Sequence, residues 1–295
     1  MAVEIPGEPG ELFASFARHL RALGRSPRTI ESYEESFARV IAYTKVATIA
    51  DLTPDLMRRW LTHEQEQTSP GSVGVRYRSA RAFLRWLVKE GELDRSPLES
   101  IPHPKQADGP VRVLELDDLR KLIAQTSGND WRDKRDKALL MFMLDSGARR
   151  GEVTGLQMRD LDLDRGEALI TGKTGTRRVA LGTASVAALD RWLRARRKLA
   201  SPHDAVWLGD RGPLSDEGVR QILKRLARQA GIGNVNPHQL RHTWSHLMRV
   251  AGMGDSEMME LGGWKSSAML QKYGRSAVGA RARDQARKVA PGDSL

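Results

Sequence analysis

The sequence predicts a mainly α-helical protein with one small β-sheet, divided into two domains. Three observations carry that expectation. The chain has 295 residues, and at about 100–200 residues per domain that length suits two. Between Arg95 and Pro110 it gathers Pro97, Pro102, Pro104, Gly109 and Pro110, the composition of a linker. Elsewhere apolar residues recur every three or four positions, the helical period, and only one stretch in the second half reads as strands. The boundary is placed near residue 106, giving domains 1–105 and 106–295.

In the first domain, Glu11–Leu23 is periodic in Leu12, Phe13, Phe16 and Leu20, and Gly24 ends it. Ser26-Pro27 and Thr53-Pro54 are helix starts, each a hydroxyl that can cap free N–H groups followed by a proline where no N–H is needed. Ile30, Tyr33, Phe37, Val40 and Ile41 follow the first, and Leu56, Met57, Trp60 and Leu61 the second. Gly71–Glu90 carries an apolar stripe of Tyr77, Ala80, Leu84, Leu87 and Val88. A basic stripe of Arg78, Arg81, Arg85 and Lys89 lies beside it. Such a helix packs on a small core and presents four cations to a phosphate backbone, which makes these four candidate DNA contacts; a solvated charged face is the plainer alternative. In the second domain Leu116–Thr126, Asp133–Ser146, Ala184–Leu199, Asp216–Ala230, Pro237–Ala251 and Asp255–Leu261 read as helices. Asp162–Ile170 and Arg177–Leu181 read as strands joined through Gly172–Thr176. The arginine-rich tail is expected to be helical to about Lys288. No internal repeat is present.

Composition excludes several classes of function. There is no cysteine, which removes disulfides, thiolate zinc sites and thiol nucleophiles together. The longest strongly apolar run, Ala138–Leu144, has seven residues, where a membrane span needs about 20. Met1–Glu11 holds three glutamates and no basic residue, unlike a secretory signal, so a cytoplasmic protein is expected. Net charge is +11, an excess that suits a polyanionic partner such as nucleic acid. Residues 1–105 hold 15 Lys+Arg against 14 Asp+Glu, and 106–295 hold 33 against 23. The excess therefore belongs to the second domain.

That domain also carries five motifs in order. They are Ser146-Gly147-Ala148-Arg149-Arg150-Gly151-Glu152, Gly172-Lys173, His238-Gln239-Leu240-Arg241-His242, Leu261-Gly262-Gly263-Trp264, and Tyr273. Glu152 is three residues after Arg149, Arg241 three after His238, and Tyr273 nine after Trp264. The set resembles the tyrosine recombinases, the family of phage integrases and Xer-type recombinases. The resemblance covers about residues 112–275, and the helical first domain is similar to the family's SAM-like core-binding domain.

The resemblance implies a two-domain clamp closing on double-stranded DNA, with a helical core-binding domain and a mixed α/β catalytic domain. It implies cleavage and rejoining of DNA through a 3′-phosphotyrosine and a Holliday junction, by a tetramer on two sites. No metal or other cofactor is needed, and an accessory directionality factor is a further expected partner. With a helix starting near Glu11 there is no room for an arm-binding domain, so the chain resembles a simple integrase serving phage or mobile-element integration. Xer-type dimer resolution is the alternative.

Elementary chemistry supports the implied roles. Arg149 and Arg241 can clamp the charge that grows on the non-bridging phosphate oxygens. The acid three residues on favours Arg149 over Arg150. Lys173 can protonate the leaving 5′ oxygen if neighbouring cations lower its pKa. His238 can donate to the phosphate or relay a proton. Glu152 is the auxiliary acid that orients the basic groups. Trp264 stands where the family more often has histidine, and an indole donates one N–H but cannot accept a proton. Tyr273 is the nucleophile; a phenol of pKa about 10 needs its proton removed or its anion stabilised. Two other classes compete. One is a non-catalytic sequence-specific DNA-binding protein. The other is a metal-dependent nuclease using His238, His242 and His246, which share a helical face but lack a His-Glu-x-x-His pattern. A type IB topoisomerase would share the chemistry without site preference.

Overall fold

The computed structural model describes residues 5–104, 112–199, 201–266 and 270. The chain divides into two compact units, Met1–Gly109 and Pro110–Leu295.

The first unit contains α1 (Gly7–Ala22), α2 (Pro27–Thr44), α3 (Pro54–Gln67) and α4 (Pro70–Glu90). The last three start alike: the hydroxyls of Ser26, Thr53 and Ser69 each accept from the N–H three residues on, with proline in the first turn. α1 begins four residues before the expected Glu11, because Pro9 is tolerated in a first turn. Glu8 also anchors that turn, its carboxylate accepting from the Ile49 N–H at 2.6 Å. Phe13, Phe16, Phe37, Trp60, Tyr77 and Phe83 are buried between the helices, with the Phe37 and Phe83 rings edge to face at 4.4 Å. On α4, Tyr77, Ala80, Leu84 and Leu87 are buried as the apolar stripe requires, while Arg78, Arg85 and Lys89 are exposed and Arg81 is half-buried. The chain beyond α4 folds back on that helix: the Tyr77 hydroxyl donates to the Ile101 carbonyl at 2.5 Å, and Arg78 bonds His103 at 3.1 Å.

The second unit contains α5 (Leu116–Ala124), α6 (Trp131–Ser146), α7 (Arg150–Thr154), β1 (Leu161–Asp162), β2 (Glu167–Gly172), β3 (Gly175–Ala180) and α8 (Thr183–Arg197). After these come β4 (Leu208–Gly209), β5 (Gly212–Pro213), α9 (Asp216–Gln229), α10 (Pro237–Val250) and α11 (Asp255–Gly262). β1, β2 and β3 form one antiparallel sheet, and β4–β5 is a separate hairpin. Residues 132–137 of α6 are charged, but from Ala138 to Leu144 the helix is apolar all round, with Ala138, Leu139, Leu140, Phe142 and Met143 buried. That half is the inner part of the helix, and α8 and α10 pack against α6. Its one fully buried acid, Asp136, is paired with Arg135 at 2.7 Å and with Arg225 of α9.

Two expectations about the sheet change. The strand expected over Asp162–Ile170 is broken at Gly166, whose φ of 65° turns the chain between β1 and β2. The loop expected over Gly172–Thr176 contracts, because Gly172 pairs with Gly175, leaving only Lys173 and Thr174 in the turn. Along β3 burial alternates, so Arg177 and Val179 face inward and Arg178 outward. Among the described residues no helix is long and apolar enough to cross a membrane.

Phe83 sits at the centre of the first unit's aromatic cluster. Truncating it as Phe83→Ala is expected to cost about 3–5 kcal/mol, read as a lower urea midpoint for the full chain. An unchanged midpoint would show that this cluster does not hold the unit together.

Candidate active site

Four segments of the second unit meet at one place. The first turns out of α6 at Gly147, whose φ of 55° is the left-handed cap conformation. A Cβ there would come within 2.3 Å of the Trp244 ring, so glycine is required both by the backbone and by the space. The turn delivers Arg149 to the N-cap of α7. Its backbone N–H donates to Glu152 Oε2 at 2.7 Å and its Nη1 to Glu152 Oε1 at 2.9 Å. Nη1 also reaches Thr174 Oγ1 at 3.2 Å, and Nη2 the Gly263 carbonyl at 3.0 Å. One side chain thus touches the β2–β3 turn and the Leu-Gly-Gly-Trp segment as well as its own acid.

Glu152 is buried beneath this contact. Arg177, inward on β3, forks onto it, Nη1 to Oε1 at 3.0 Å and Nη2 to Oε2 at 2.8 Å, while its Nε donates to the Leu261 carbonyl at 2.7 Å. Burial alone would raise the carboxyl's pKa. The hydrogen bonds from Arg177 and Arg149, with the charge of Arg177, instead hold it at about 2.

α10 supplies the third group. Asn236 caps it by accepting from the Gln239 N–H at 2.9 Å, and Pro237 fills the first turn. His238 and Arg241 then lie one turn apart. Arg241 is buried, donating to the Gly147 carbonyl at 2.6 Å and the Gly262 carbonyl at 2.5 Å. Its guanidinium lies 4.4 Å from the centre of the Trp264 ring, which stacks on Trp244 at 5.8 Å. Arg149, His238 and Arg241 open onto a single cavity of about 410 Å³, with Arg150 and Arg220 at its wall.

The structure therefore brings together Arg149, Glu152, His238, Arg241 and Trp264. Lys173 is exposed on the turn beside Thr174. Arg150 turns instead to Asp216 at 2.9 Å, tying α7 to α9. Tyr273 and the tail lie outside the described residues. The rings of His238 and His242 meet edge to face at 4.6 Å, and among the described residues no group of three His, Asp or Glu is arranged to hold a metal ion. Sequence reasoning missed Arg177 and Thr174. The signal for Arg177 was the alternation of β3: an arginine two residues before an inward valine must itself point in.

The phage integrase family model matches residues 112–279, and the family's N-terminal SAM-like domain matches residues 13–91. The chain belongs to the phage integrase family. It is thereby a tyrosine recombinase. It is 32% identical to tyrosine recombinase XerD of Listeria monocytogenes, over 85% of this chain and 88% of that one. It is 33% identical to XerC of Xanthomonas campestris pv. campestris, over 84% and 79% respectively. Among solved structures, the Tn1549 transposon integrase in complex with transposon right end DNA superposes with a TM-score of 0.76 at 17% identity, covering 98% of this chain and all of that one. A XerH recombinase bound to its difH substrate superposes with a TM-score of 0.74 at 17% identity, over 89% and 80%. At such identities the structures speak for the shared fold.

His238 and His242 of the recombinase are both held towards neutrality. Desolvation, then the charges of Arg241 and Arg149, lower the pKa of His238 although it is open to solvent. Burial, then His238 and Arg241, lower that of His242 from 6.5 to about 4. Between those two values the unfolded chain binds a proton at His242 that the native state refuses, so stability falls as pH falls from 6.5 to 4. The loss amounts to about 3 kcal/mol at most. Thermal midpoints measured across this window should fall steeply in the wild type and more shallowly in His242→Gln. Parallel curves would show that His242 is not the group responsible.

Proposed function

We propose that this recombinase is a Xer-type, site-specific enzyme that cuts and rejoins double-stranded DNA in the cytoplasm, with Tyr273 as its nucleophile. The observation that carries the reading is the convergence of Arg149, Arg241 and His238 on one cavity. Two guanidiniums fixed by carbonyls and a carboxylate are preorganised donors for the charge that develops on a phosphate under attack. The Tyr273 hydroxyl gives its proton to His238 as its oxygen attacks phosphorus, and the 5′ oxygen of the next nucleotide leaves, taking a proton from Lys173. The product is a 3′-phosphotyrosine. A 5′ hydroxyl from the partner duplex then displaces the tyrosine, giving a Holliday junction that a second pair of exchanges resolves. The phosphodiester energy is conserved in the covalent bond, so neither ATP nor a metal is required. Glu152 orients Arg149, and Trp264 packs on Arg241. The assembly is a tetramer on two sites, in which a directionality factor can choose the product. Arg78, Arg81, Arg85 and Lys89 of α4 contact the DNA backbone.

The named relatives above 30% identity are Xer recombinases, and they favour dimer resolution over the integration expected first from sequence. The transposon integrase is too distant to argue otherwise.

The test is a covalent trapping assay on a nicked site in chelator. Wild-type protein is expected to give a slow, protease-sensitive DNA band, and Tyr273→Phe none. Arg149→Ala and Arg241→Ala should each slow cleavage by about 10²–10³-fold, the cost of losing one preorganised donor. A band that persists in Tyr273→Phe identifies another nucleophile, and specific binding without any band identifies a DNA-binding protein.

A further inference from the structure

We propose that Arg177 is a positioning residue for strand cleavage, acting through Glu152 to hold Arg149 and the Lys173 turn in register. The inference rests on the reading of the site given above. Arg177 is 6% exposed at its side chain and Glu152 3%. Unlike Arg149 and Arg241 it does not line the cavity, and three of its five N–H donors are engaged within the protein, two on Glu152 and one on the Leu261 carbonyl. It therefore influences the reaction only through what it holds.

What it holds is the state of Arg149. Glu152 is a buried anion, and a buried anion claims whatever cation it can reach. With Arg177 present, two arginines share one carboxylate, and the trio keeps a net positive charge. Among the described residues Arg149 uses three of its side-chain N–H donors, two at Nη1 and one at Nη2. Of the five that a guanidinium offers, Nε–H and one Nη2–H remain for an anion in the cavity. Without Arg177, Glu152 keeps only Arg149 as a cation among the described residues, and both the charge and the direction of Arg149 are drawn towards the acid. Arg177 also sets the hairpin. It sits on β3 opposite Ile170 of β2, and the strand pair ends at Gly172, where a Cβ would lie 2.7 Å from Glu152 Oε1. The hairpin backbone is thus pressed onto the carboxylate that Arg177 grips, and Lys173 rides on the turn immediately beyond.

The test uses the full chain in the trapping assay, with Arg177→Met, Arg177→Lys and the double variant Glu152→Gln/Arg177→Met. Three quantities are read: the single-turnover cleavage rate constant, the fraction of protein that reacts, and DNA affinity. Misplacing a catalytic group by about 1 Å costs on the order of 10²-fold, so Arg177→Met is expected to cleave about that much more slowly, with reacting fraction and affinity near those of wild type. Arg177→Lys keeps the charge but not the fork, and should also be slow. The double variant should be no slower than Arg177→Met, because the two residues act as one unit.

Full rates in both single variants overturn this inference and leave the recombinase reading intact. So does a loss confined to reacting fraction and affinity, which would mark a purely structural ion pair. A double variant much slower than Arg177→Met would show that Glu152 acts independently of Arg177. A wild-type protein inert on its own site overturns the recombinase reading first.

Discussion

Glu152 is an anion buried among cations, and the arrangement of the motif residues around it follows from how its charge is met. Taking a carboxylate out of water costs several kcal/mol even after relaxation, and attraction alone offsets this only when the geometry is good and the remaining lone pairs are satisfied. Here four donors arrive from two arginines, among them the Arg149 backbone N–H. Those arginines lie at the start of α7 and on β3, and each is further tied to a carbonyl of the segment that leads into Trp264. Three stretches of chain far apart in sequence are thereby pinned to one oxygen pair.

The same logic governs Arg241. Its partners include the Gly147 and Gly262 carbonyls, which fix its direction without cancelling its charge. A carboxylate in their place would have held it as firmly and neutralised it. Where a site must attract an anion, dipolar partners are the better choice, since they are set in place by folding and leave the field intact for the ligand. Neutral histidines complete this pattern: crowding by Arg241 and Arg149 adds to desolvation in depressing the His238 pKa, so the positive field that would stabilise a phosphate also favours the unprotonated imidazole.

Much of this is legible in the amino-acid sequence. The helix starts at Pro27, Pro54 and Pro237 are signalled by a capping residue and a proline, local features that need no tertiary information. Arg149, Glu152, His238 and Arg241 are found by spacings of three, which place the members of each pair on adjoining turns. What escapes shares one cause. α7 spans only Arg150–Thr154, too short for a periodic stripe, and β4–β5 has two residues per strand. Arg177 sits unremarked beside Arg178 in a chain with 48 Lys+Arg, and only its partner, 25 residues earlier, distinguishes it. Long-range pairing of charges is not written in local pattern; strand alternation is the one clue to it, and the break at Gly166 blurs even the extent of the neighbouring strand.

Trp264 shows how one substitution redistributes the chemistry of such a site. A histidine in this place could donate, accept or carry a proton; an indole has a single N–H and no basic atom. The ring instead lies 4.4 Å from the Arg241 guanidinium, a cation–π contact worth more when desolvated, as it is here, and stacks on Trp244, which in turn fills the space that Gly147 leaves by lacking a Cβ. The aromatic pair thus supports the same turn that presents the Gly147 carbonyl to Arg241. Bulk and polarisability take over the work of holding the guanidinium. Any proton transfer must then run through groups that can ionise, and among the described residues those around the cavity include His238 and Asp216, with Lys173 on the neighbouring turn.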